Sequence, residues 1–444
     1  MRACHSLKRL HTGFDDPRLV ADAGLLLPAT LATGLGLGEL LDARVQLGGA
    51  AGGAHVGRKA LTVIASVLAG GDCIEDAEAL RAGGTGVVLG QAVPAPSTLG
   101  TFLRSFSYGH VRQLDAVSRE ALARAWAAGA GPGEGALTID LDSTLCQTYG
   151  RAKAGARERN YLGQRGYHPL LAVAGGSGEV LHSRLRGGRA AAGRGAGSFV
   201  RETLARVRAA GATGPLYLRA DAGFYTHAVV QACRQAGARC SITVRLNPTL
   251  HRVIAALPPR AWQPLPGWTE GQAAVAATPY TLVGQKGKPP LPLRLVVRRV
   301  EAPAEAQLRL LPGYRYHAFI TNRPGDALRL EALHRRHAEV EPTICELKHG
   351  LGLNHFPSGR FGANGAWLAL NALAHNLLRW LDQLALGSLR LSAKRLRYRF
   401  LRLPGRLTRS ARRCWLHLPA TWPWAPAFLA ALARLRALPP PAPA

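Results

Sequence analysis

The sequence lacks the cysteine patterns of zinc-binding, redox or disulfide-rich proteins. Its seven cysteines are odd in number and widely scattered, and no two of them are separated by only two residues. The N-terminus is basic but has no apolar run of the kind that a signal peptide requires. We therefore expect reduced thiols and a cytosolic protein.

Acidic residues are also scarce. The chain has 27 Asp and Glu against 56 Lys and Arg, which gives a formal net charge of +29. A compact chain with so much charge of one sign repels itself unless a polyanion binds to it. The composition therefore predicts a nucleic-acid partner, and 444 residues with a hydrophobic content of 47% are enough for a large folded core.

No long stretch is apolar enough to cross a membrane. The most apolar stretch, residues 366–386, is interrupted by polar and charged residues that a lipid bilayer would not accommodate: Asn371, His375, Asn376, Arg379 and Asp382. We expect a buried core helix here and no membrane partner.

Changes of periodicity divide the chain into a helical part, a mixed α/β core with an insertion, and a basic C-terminal region. Helical patterns with Gly-rich breaks fill residues 1–130, interpreted as a DNA-binding domain in which a helix capped by Ser97 or Thr98 carries Arg104. Residues 136–250 follow the order β-β-β-α-β-α-β, and 313–386 continue this core after a β-rich insertion at 251–312. Residues 387–444 are predicted to be helical and basic and to end in a disordered tail.

Three acidic residues stand where open α/β sheets place ligands. In TIDLDST, Asp140 and Asp142 project to the same side of one strand. Asp221 in YLRADAGF ends an apolar strand, and Glu341 shares a helix face with Lys348. Carboxylates gathered from distant positions are typical of a site for hard divalent cations.

Such a site favours cleavage of phosphodiester bonds. Two ions about 3.5–4 Å apart deprotonate the attacking water or 3′-hydroxyl and neutralise the leaving oxygen. We predict that Asp142, Asp221 and Glu341 are the catalytic and metal-holding residues, with two Mg²⁺ ions as cofactor and Mn²⁺ able to substitute. Zinc is disfavoured, because His334 and His337 are at positions i and i+3, whereas hydrolytic zinc sites favour two histidines at i and i+4.

The blocks DLDST, RADAGF and H-x-x-H-x-x-x-E-x-x-I-x-x-LK resemble the signatures of DDE insertion-sequence transposases, most closely those of the thirteen-eighty family. The resemblance covers roughly residues 60–385. It implies a ribonuclease-H-like mixed sheet flanked by helices, with a β-rich insertion before the third acid. It also implies a cut-and-paste transposase of the bacterial cytosol, associated with the nucleoid. Such an enzyme acts as a homodimer on double-stranded DNA, binding the terminal inverted repeats, cutting the transposon ends and joining 3′-hydroxyls to target DNA.

The sequence departs from the family pattern around the third acid. His334 and His337 occupy the positions of a Tyr and an Arg, so phosphate contacts there would depend on pH. Pro342 disfavours α geometry at Glu341 and would start or kink the helix. Asp140 is expected to be a supporting or solvent-facing acid rather than a ligand. Two other glutamates of the same stretch stay open as alternative third ligands: Glu339 and Glu346.

Basic residues on several elements are expected to contact DNA. Lys348 and nearby arginines would hold the phosphate backbone, and the ten basic residues from Arg390 to Arg413 are interpreted as a phosphate-binding face. Trp262 and Trp268 could stack on a flipped base, although packing is the commoner role of such residues. The residues assigned to DNA contact are Lys348, His337, His334, Arg219, Arg245, Arg104, Arg395 and Arg399.

Two other functions stay open. One is a DNA-binding protein descended from such an enzyme, in which Pro342 has displaced Glu341 and catalysis is lost. The other is a structure-specific nuclease with the same core that does not transpose DNA. Inverted repeats and a short target duplication around the gene would distinguish a mobile element from both.

Overall fold

The protein is a mixed α/β molecule built on one nine-stranded sheet with helices packed against it. A computed structural model describes residues 10–158, 163–269, 271–284, 287–301 and 313–441. The expectations for Cys4 and for the last three residues of the tail fall outside these ranges.

The strands form one large and two small sheets. In chain order they are β1 (Leu19–Val20), β2 (Leu137–Ser143), β3 (Cys146–Gln147), β4 (Arg157–Glu158), β5 (Arg165–Tyr167), β6 (Leu170–Ala174), β7 (Val180–Arg184), β8 (Leu216–Ala220), β9 (Arg239–Val244), β10 (Gln263–Pro264), β11 (Ala273–Leu282), β12 (Leu291–Glu301), β13 (Tyr314–Thr321), β14 (Gly405–Ser410) and β15 (Arg413–His417).

Helices fill most of the first 130 residues and alternate with strands in the core. In chain order they are α1 (Leu26–Gly34), α2 (Leu37–Arg44), α3 (Val56–Ala69), α4 (Thr85–Val88), α5 (Pro96–Arg104), α6 (Tyr108–Ala125), α7 (Ala196–Ala209), α8 (His227–Gln235), α9 (Pro248–Ala255), α10 (Ala327–Arg335), α11 (Val340–Cys345), α12 (Phe361–Leu384), α13 (Ala393–Leu396) and α14 (Ala425–Arg436).

The strand order in the large sheet is β10-β11-β12-β13-β9-β8-β2-β6-β7. Strands β2, β8 and β9 run parallel, and the other neighbouring pairs are antiparallel. Within the large sheet, the strands from β2 to β9 follow the predicted order, with α7 between β7 and β8 and α8 between β8 and β9. The short strands β3, β4 and β5, which form a separate sheet between β2 and β6, were not predicted. Because parallel strands end at the same edge, the carboxyl ends of β2 and β8 lie side by side.

The strands expected as an insertion extend the large sheet instead of forming a layer of their own. β11 pairs with β12 and β12 with β13, and β13 continues the sheet beside β9. A helix, α9, precedes them within the segment expected to be β-rich. Asn247 caps this helix and Pro248 occupies its first turn, which are favourable residues for a helix start.

The first 130 residues are mainly helical, as predicted, but β1 pairs with β14 of the C-terminal region. The cap predicted at Ser97 or Thr98 is wrong, because α5 begins at Pro96 with Ala95 as its N-cap. Proline fits this first turn, where its missing N–H has no helical partner. Helices α3, α5 and α6 pack against α12 and therefore share the core of the rest of the chain.

The C-terminal region is not purely helical, in contrast to the prediction. β14 and β15 form a hairpin that joins β1 in a three-stranded sheet. Pro404 and Gly405 end the preceding helical turns, and apolar and polar residues then alternate as in a half-exposed strand. Helices α13 and α14 flank this hairpin.

The apolar helix α12 is buried at the centre of the molecule, as predicted. It contacts β7 of the large sheet and also α3, α5 and α6 of the N-terminal part. Within the described ranges, no single helix has the length and apolar character to cross a membrane. One bent pair, Ala23–Gly34 with Leu37–Arg44 at an angle of 56°, meets those limits by length and composition.

A buried glutamate joins the helical part to the large sheet. Glu179 directly precedes β7 and is 2% exposed. Its Oε1 accepts hydrogen bonds from the indole N–H groups of Trp126, 3.0 Å away, and Trp380, 2.6 Å away. One carboxylate therefore holds the residue after α6 and the C-terminal part of α12 against the start of the same strand.

Glu179→Ala is expected to lower the free energy of unfolding by about 2–4 kcal/mol, because two buried indole N–H groups lose their acceptor. Urea denaturation followed by circular dichroism measures the loss. The matched control is Glu78→Ala, which removes an exposed ion pair with Arg81 and should cost less than about 1 kcal/mol. Equal losses in the two variants would contradict this role of Glu179.

Candidate active site

A row of polar residues crosses the parallel strands just below their carboxyl edge. Asp140 of β2 lies opposite Arg219 of β8, and Arg219 lies opposite Ser241 of β9. Alternation along β2 places Asp142 on the same side of the sheet as Asp140. The segment from α10 to α11 covers this side, since His334 of α10 lies 2.6 Å from the Ser241 hydroxyl.

Asp140 is buried and fully paired. Its carboxylate accepts two hydrogen bonds from Arg219, both of 2.7 Å, and lies 2.9 Å from Nδ1 of His337. Arg219 also donates to the carbonyl of Leu333 and lies 3.3 Å from the carboxylate of Glu339. Of the two roles expected for Asp140, its burial fits the supporting one and excludes the solvent-facing one.

Asp142 and Asp221 emerge at neighbouring positions of the sheet edge. Leu141 pairs with Ala220, the last residue of β8, so the residues that follow each of them are adjacent. Asp142 belongs to β2 and is half-buried, whereas Asp221 is exposed at the end of its strand. The register of two parallel strands thus brings together acids that are far apart in the sequence.

Gly223 allows the chain to turn sharply after the second acid. The Oδ1 atom of Asp221 accepts a hydrogen bond of 2.9 Å from the Gly223 N–H, which begins a 3-10 turn. A Cβ on Gly223 would lie 2.6 Å from the Cβ of Ala192, so a larger residue would force the backbone to move. The close packing around this turn explains the glycine in RADAGF.

Glu341 lies in the first turn of α11, close enough for its charge to act on Asp142. A 3-10 turn over Arg336–Glu339 precedes this helix, and α11 itself begins at Val340. Pro342 therefore stands in the first turn, where a missing N–H costs no helical hydrogen bond. Of the two effects predicted for Pro342, the structure has the helix start rather than the kink.

The pKa of the Asp142 carboxyl is raised to about 6. Burial is the main cause, and the negative charges of Asp221 and Glu341 add to it. The backbone N–H of Ser143 and the charge of His337 act in the opposite direction. The three acids therefore interact through space.

The two alternative glutamates have partners elsewhere. Glu339 forms ion pairs with Arg219 and Arg336 at 3.3 and 2.8 Å. Glu346 points toward α12, where its carboxylate lies 3.2 Å from Nδ1 of His375, and it accepts a hydrogen bond from the first backbone N–H of α13. Glu341 is thus the glutamate of this stretch whose charge acts on Asp142.

The three carboxylates have the chemistry of a divalent-cation site. They offer hard oxygen donors, and a cation would favour the ionised form of Asp142, whose pKa is raised by burial and, to a smaller extent, by the charges of Asp221 and Glu341. Among the described residues, their ligand atoms do not form a group lying entirely within 4.8 Å. Two tighter groups lie elsewhere: Asp72–Cys73–Asp76 and Asp115–His182–Glu202.

Two residues that were assigned to DNA contact are buried. His334 is 5% exposed and stacks on Phe319, and burial together with nearby positive charges lowers its pKa well below the usual range. Its ring nitrogens contact the hydroxyls of Ser241 and Thr243. Arg219 is 6% exposed and paired with acids. The predicted phosphate contacts of His334 and Arg219 are therefore wrong, because both side chains lie beneath the acids and support the sheet.

His337 and Lys348 lie near the acids but have protein partners. His337 is half-buried against Asp140. Lys348 donates to the carbonyl of Leu145 at 3.0 Å and lies 3.4 Å from the hydroxyl of Thr144, in the segment after β2. The other assigned residues are exposed or half-buried on separate elements, and their contact with DNA stays a prediction: Arg104, Arg245, Arg395 and Arg399.

Trp262 and Trp268 are each covered by an arginine. The guanidinium of Arg299 lies 4.3 Å from the ring centre of Trp262, and that of Arg298 lies 4.6 Å from the ring centre of Trp268. Arg335 approaches the same ring of Trp268 at 5.3 Å. These cation–π contacts account for both tryptophans by packing, and base stacking stays a prediction.

A large mixed sheet with acids at the carboxyl edge of its parallel strands and a strongly basic composition are the features expected of a transposase of the DDE class. The model of the family described as "Transposase DDE domain group 1" matches residues 3–440, and the chain belongs to this family. The assignment as a transposase rests on this match, which spans nearly the whole chain.

Among solved structures, the chain is similar to a piggyBac transposase in a synaptic complex with hairpin DNA. The two share 13% sequence identity with a TM-score of 0.42, and the match covers 86% of this chain and 79% of the other. No curated protein matches the chain.

Asp142→Asn is expected to stabilise the metal-free protein at pH 8. A carboxyl whose folded pKa lies above its unfolded value loses its stabilising protonation as the pH rises from about 4 to about 6, and its charge is unfavourable above that range. The variant should gain up to about 3 kcal/mol at pH 8 and almost nothing at pH 4.

Denaturant titrations in EDTA at the two pH values measure this difference. The exposed Asp15→Asn is the control, because it removes the same charge from the surface. A variant no more stable than the parent protein at pH 8 would show that the charge of Asp142 is not unfavourable in the fold.

Proposed function

We propose that the protein is a cut-and-paste DNA transposase in which Asp142, Asp221 and Glu341 hold two Mg²⁺ ions. The observation that supports this most is the register of β2 and β8, which brings Asp142 and Asp221 to neighbouring positions at the carboxyl edge of the sheet. Burial raises the pKa of Asp142, and the charges of Asp221 and of Glu341 on α11 add to this rise. Carboxylates that repel one another in the metal-free protein are stabilised by cations that they share. Mn²⁺ is expected to substitute for Mg²⁺.

The residues of the proposed site have different roles in holding the ions. When bound, the two ions supply an activated water or 3′-hydroxyl and neutralise the leaving oxygen. Asp142 and Asp221 belong to adjacent strands of one sheet, and Glu341 approaches them from the helical side. Asp140 orients His337, which acts to lower the pKa of Asp142 and so favours its ionised, cation-binding form.

The proposed partners are the two terminal inverted repeats of a mobile element and the target duplex. The net charge of +29 supports a polyanionic partner. Joining freed 3′-hydroxyls to a target requires both ends to be cut together, so we propose a homodimer on paired ends. We further propose a ribonuclease-H-like core over 136–250 and 313–386, end recognition by the helices before residue 130, and membership of the thirteen-eighty group.

Alanine at Asp142, Asp221 or Glu341 should lower Mg²⁺-dependent cleavage by at least about 100-fold. DNA binding should be largely unchanged, because each substitution removes metal ligation and no phosphate contact. The test is nicking of a plasmid that carries the genomic sequence flanking the gene, together with gel-shift binding in EDTA. Glu39→Ala, an exposed acid on α2, is the control and should retain both activities.

The same assay distinguishes the remaining possibilities. If Glu341→Ala still cleaves DNA and Glu339→Ala does not, the third metal ligand is Glu339 rather than Glu341. Binding without nicking in either Mg²⁺ or Mn²⁺ would identify a DNA-binding protein that has lost catalysis. Cleavage of junctions or hairpins without strand joining would identify a structure-specific nuclease.

A further inference from the structure

The basic C-terminal region carries a two-stranded ribbon. We call β14, β15 and the two residues that join them, Ala411 and Arg412, the C-terminal ribbon. The sequence contains no acidic residue after Asp382. A polyanion that approaches the ribbon therefore meets no negative charge from this part of the chain.

One face of the C-terminal ribbon packs on the protein and the other faces outward. The cross-strand pair Leu407–Leu416 is on the inner face, and Leu407 lies so close to Gly84 that a Cβ there would be 2.3 Å from it. The neighbouring pair Thr408–Trp415 is on the opposite face, and Trp415 is 52% exposed. The ribbon is thus anchored on one side and open on the other.

The tip of the ribbon stands clear of the protein. The last two cross-strand pairs, Arg409–Cys414 and Ser410–Arg413, are exposed although they belong to opposite faces. In the part of the chain that the structure describes, Arg409, Arg412 and Arg413 form no ion pair or hydrogen bond through their side chains. The tip therefore carries three uncompensated positive charges.

Other basic residues of the same region are engaged within the protein. Arg406, at the base of the ribbon, forms an ion pair of 3.0 Å with Asp16. Arg397 donates to the carbonyl of Leu68 at the end of α3, and Arg399 lies 5.4 Å from the ring centre of Trp424. Three of the ten basic residues from Arg390 to Arg413 are therefore engaged within the protein, and three of the exposed ones lie together at the ribbon tip.

We propose that the C-terminal ribbon inserts into the major groove of duplex DNA, where the three tip arginines contact phosphates and guanine edges and Trp415 makes an apolar contact. The inference depends on the proposed function for its partner, double-stranded DNA. A two-stranded antiparallel ribbon fits the major groove, which is about 12 Å wide, and is excluded from the minor groove, which is about 6 Å wide.

The first test removes the three charges. Arg409→Gln, Arg412→Gln and Arg413→Gln together should weaken binding to a mixed-sequence DNA duplex of about 30 base pairs by at least about tenfold in EDTA. The slope of log K against log salt should fall by about 0.9 for each phosphate that the variant no longer neutralises. The matched control replaces three exposed arginines on α7, α8 and α9 by Gln and should bind within about threefold of the parent protein: Arg201, Arg234 and Arg252.

Binding to duplex RNA of the same sequence distinguishes insertion of the ribbon into the major groove from a purely electrostatic contact with the phosphate backbone. The major groove of A-form RNA is deep and too narrow for side chains to read. The ribbon variant should therefore lose affinity for DNA while its affinity for RNA changes by less than about threefold. Equal losses on both duplexes, or no loss on DNA, would overturn the proposal.

Trp415 gives an independent readout. Trp415→Ala should weaken DNA binding without changing the salt slope, since it removes an apolar contact and no charge, and Trp415→Phe should restore most of the affinity. Unchanged DNA affinity in Trp415→Ala would refute the apolar contact.

Comparing DNA binding with nicking distinguishes a failure of this inference from a failure of the proposed function. The triple arginine variant should retain metal-dependent nicking at protein concentrations that saturate the DNA, with an unchanged circular dichroism melting curve. Asp142→Ala should show the opposite pattern, with binding retained and nicking abolished.

Discussion

A buried ion pair between two parallel strands underlies the arrangement of the acids. The bidentate contact of Asp140 with Arg219 joins β2 to β8 where neither side chain reaches bulk water. A slip of one residue between these strands would leave both charges buried without a partner, which is strongly unfavourable. The pair therefore fixes the register that places Asp142 beside Asp221. The relative position of the two acids is thus set by a pair that lies two residues before them on their strands.

The positive charge of the chain is divided between its surface and its interior. Arg124 donates to the carbonyls of Leu35 and Gly36 just after α1, and Arg397 donates to carbonyls in the last turn of α3. These guanidinium groups bind backbone carbonyls at helix ends, and the carbonyls of Gly36 and Val67 also accept a backbone N–H. The charge left for a polyanion is consequently smaller and more localised than the net value of +29 suggests.

The order of strands and helices in the core could be predicted from the sequence, because alternation and turn residues are local signals. The partners of buried polar residues could not, because nothing local shows which face a later helix covers; His334 was misassigned for this reason. The sequence does contain a signal for the partner of Arg219. Arg219 precedes Asp221 by two residues, just as Asp140 precedes Asp142. In parallel strands with those acids adjacent, Arg219 and Asp140 must face each other. The β14–β15 hairpin was missed because its alternation is short and its arginines dominate the pattern.

The carboxylate of Glu179 also limits how the molecule can move. Trp126 after α6 and Trp380 in α12 donate to the same oxygen. If α6 moved away from the sheet, the buried indole N–H of Trp126 would lose its acceptor, which is unfavourable. The N-terminal helices and the three acids are consequently held at a fixed separation. Under the proposed function, a duplex that contacts both would have to bend to match this fixed separation, at an elastic cost that depends on its base sequence.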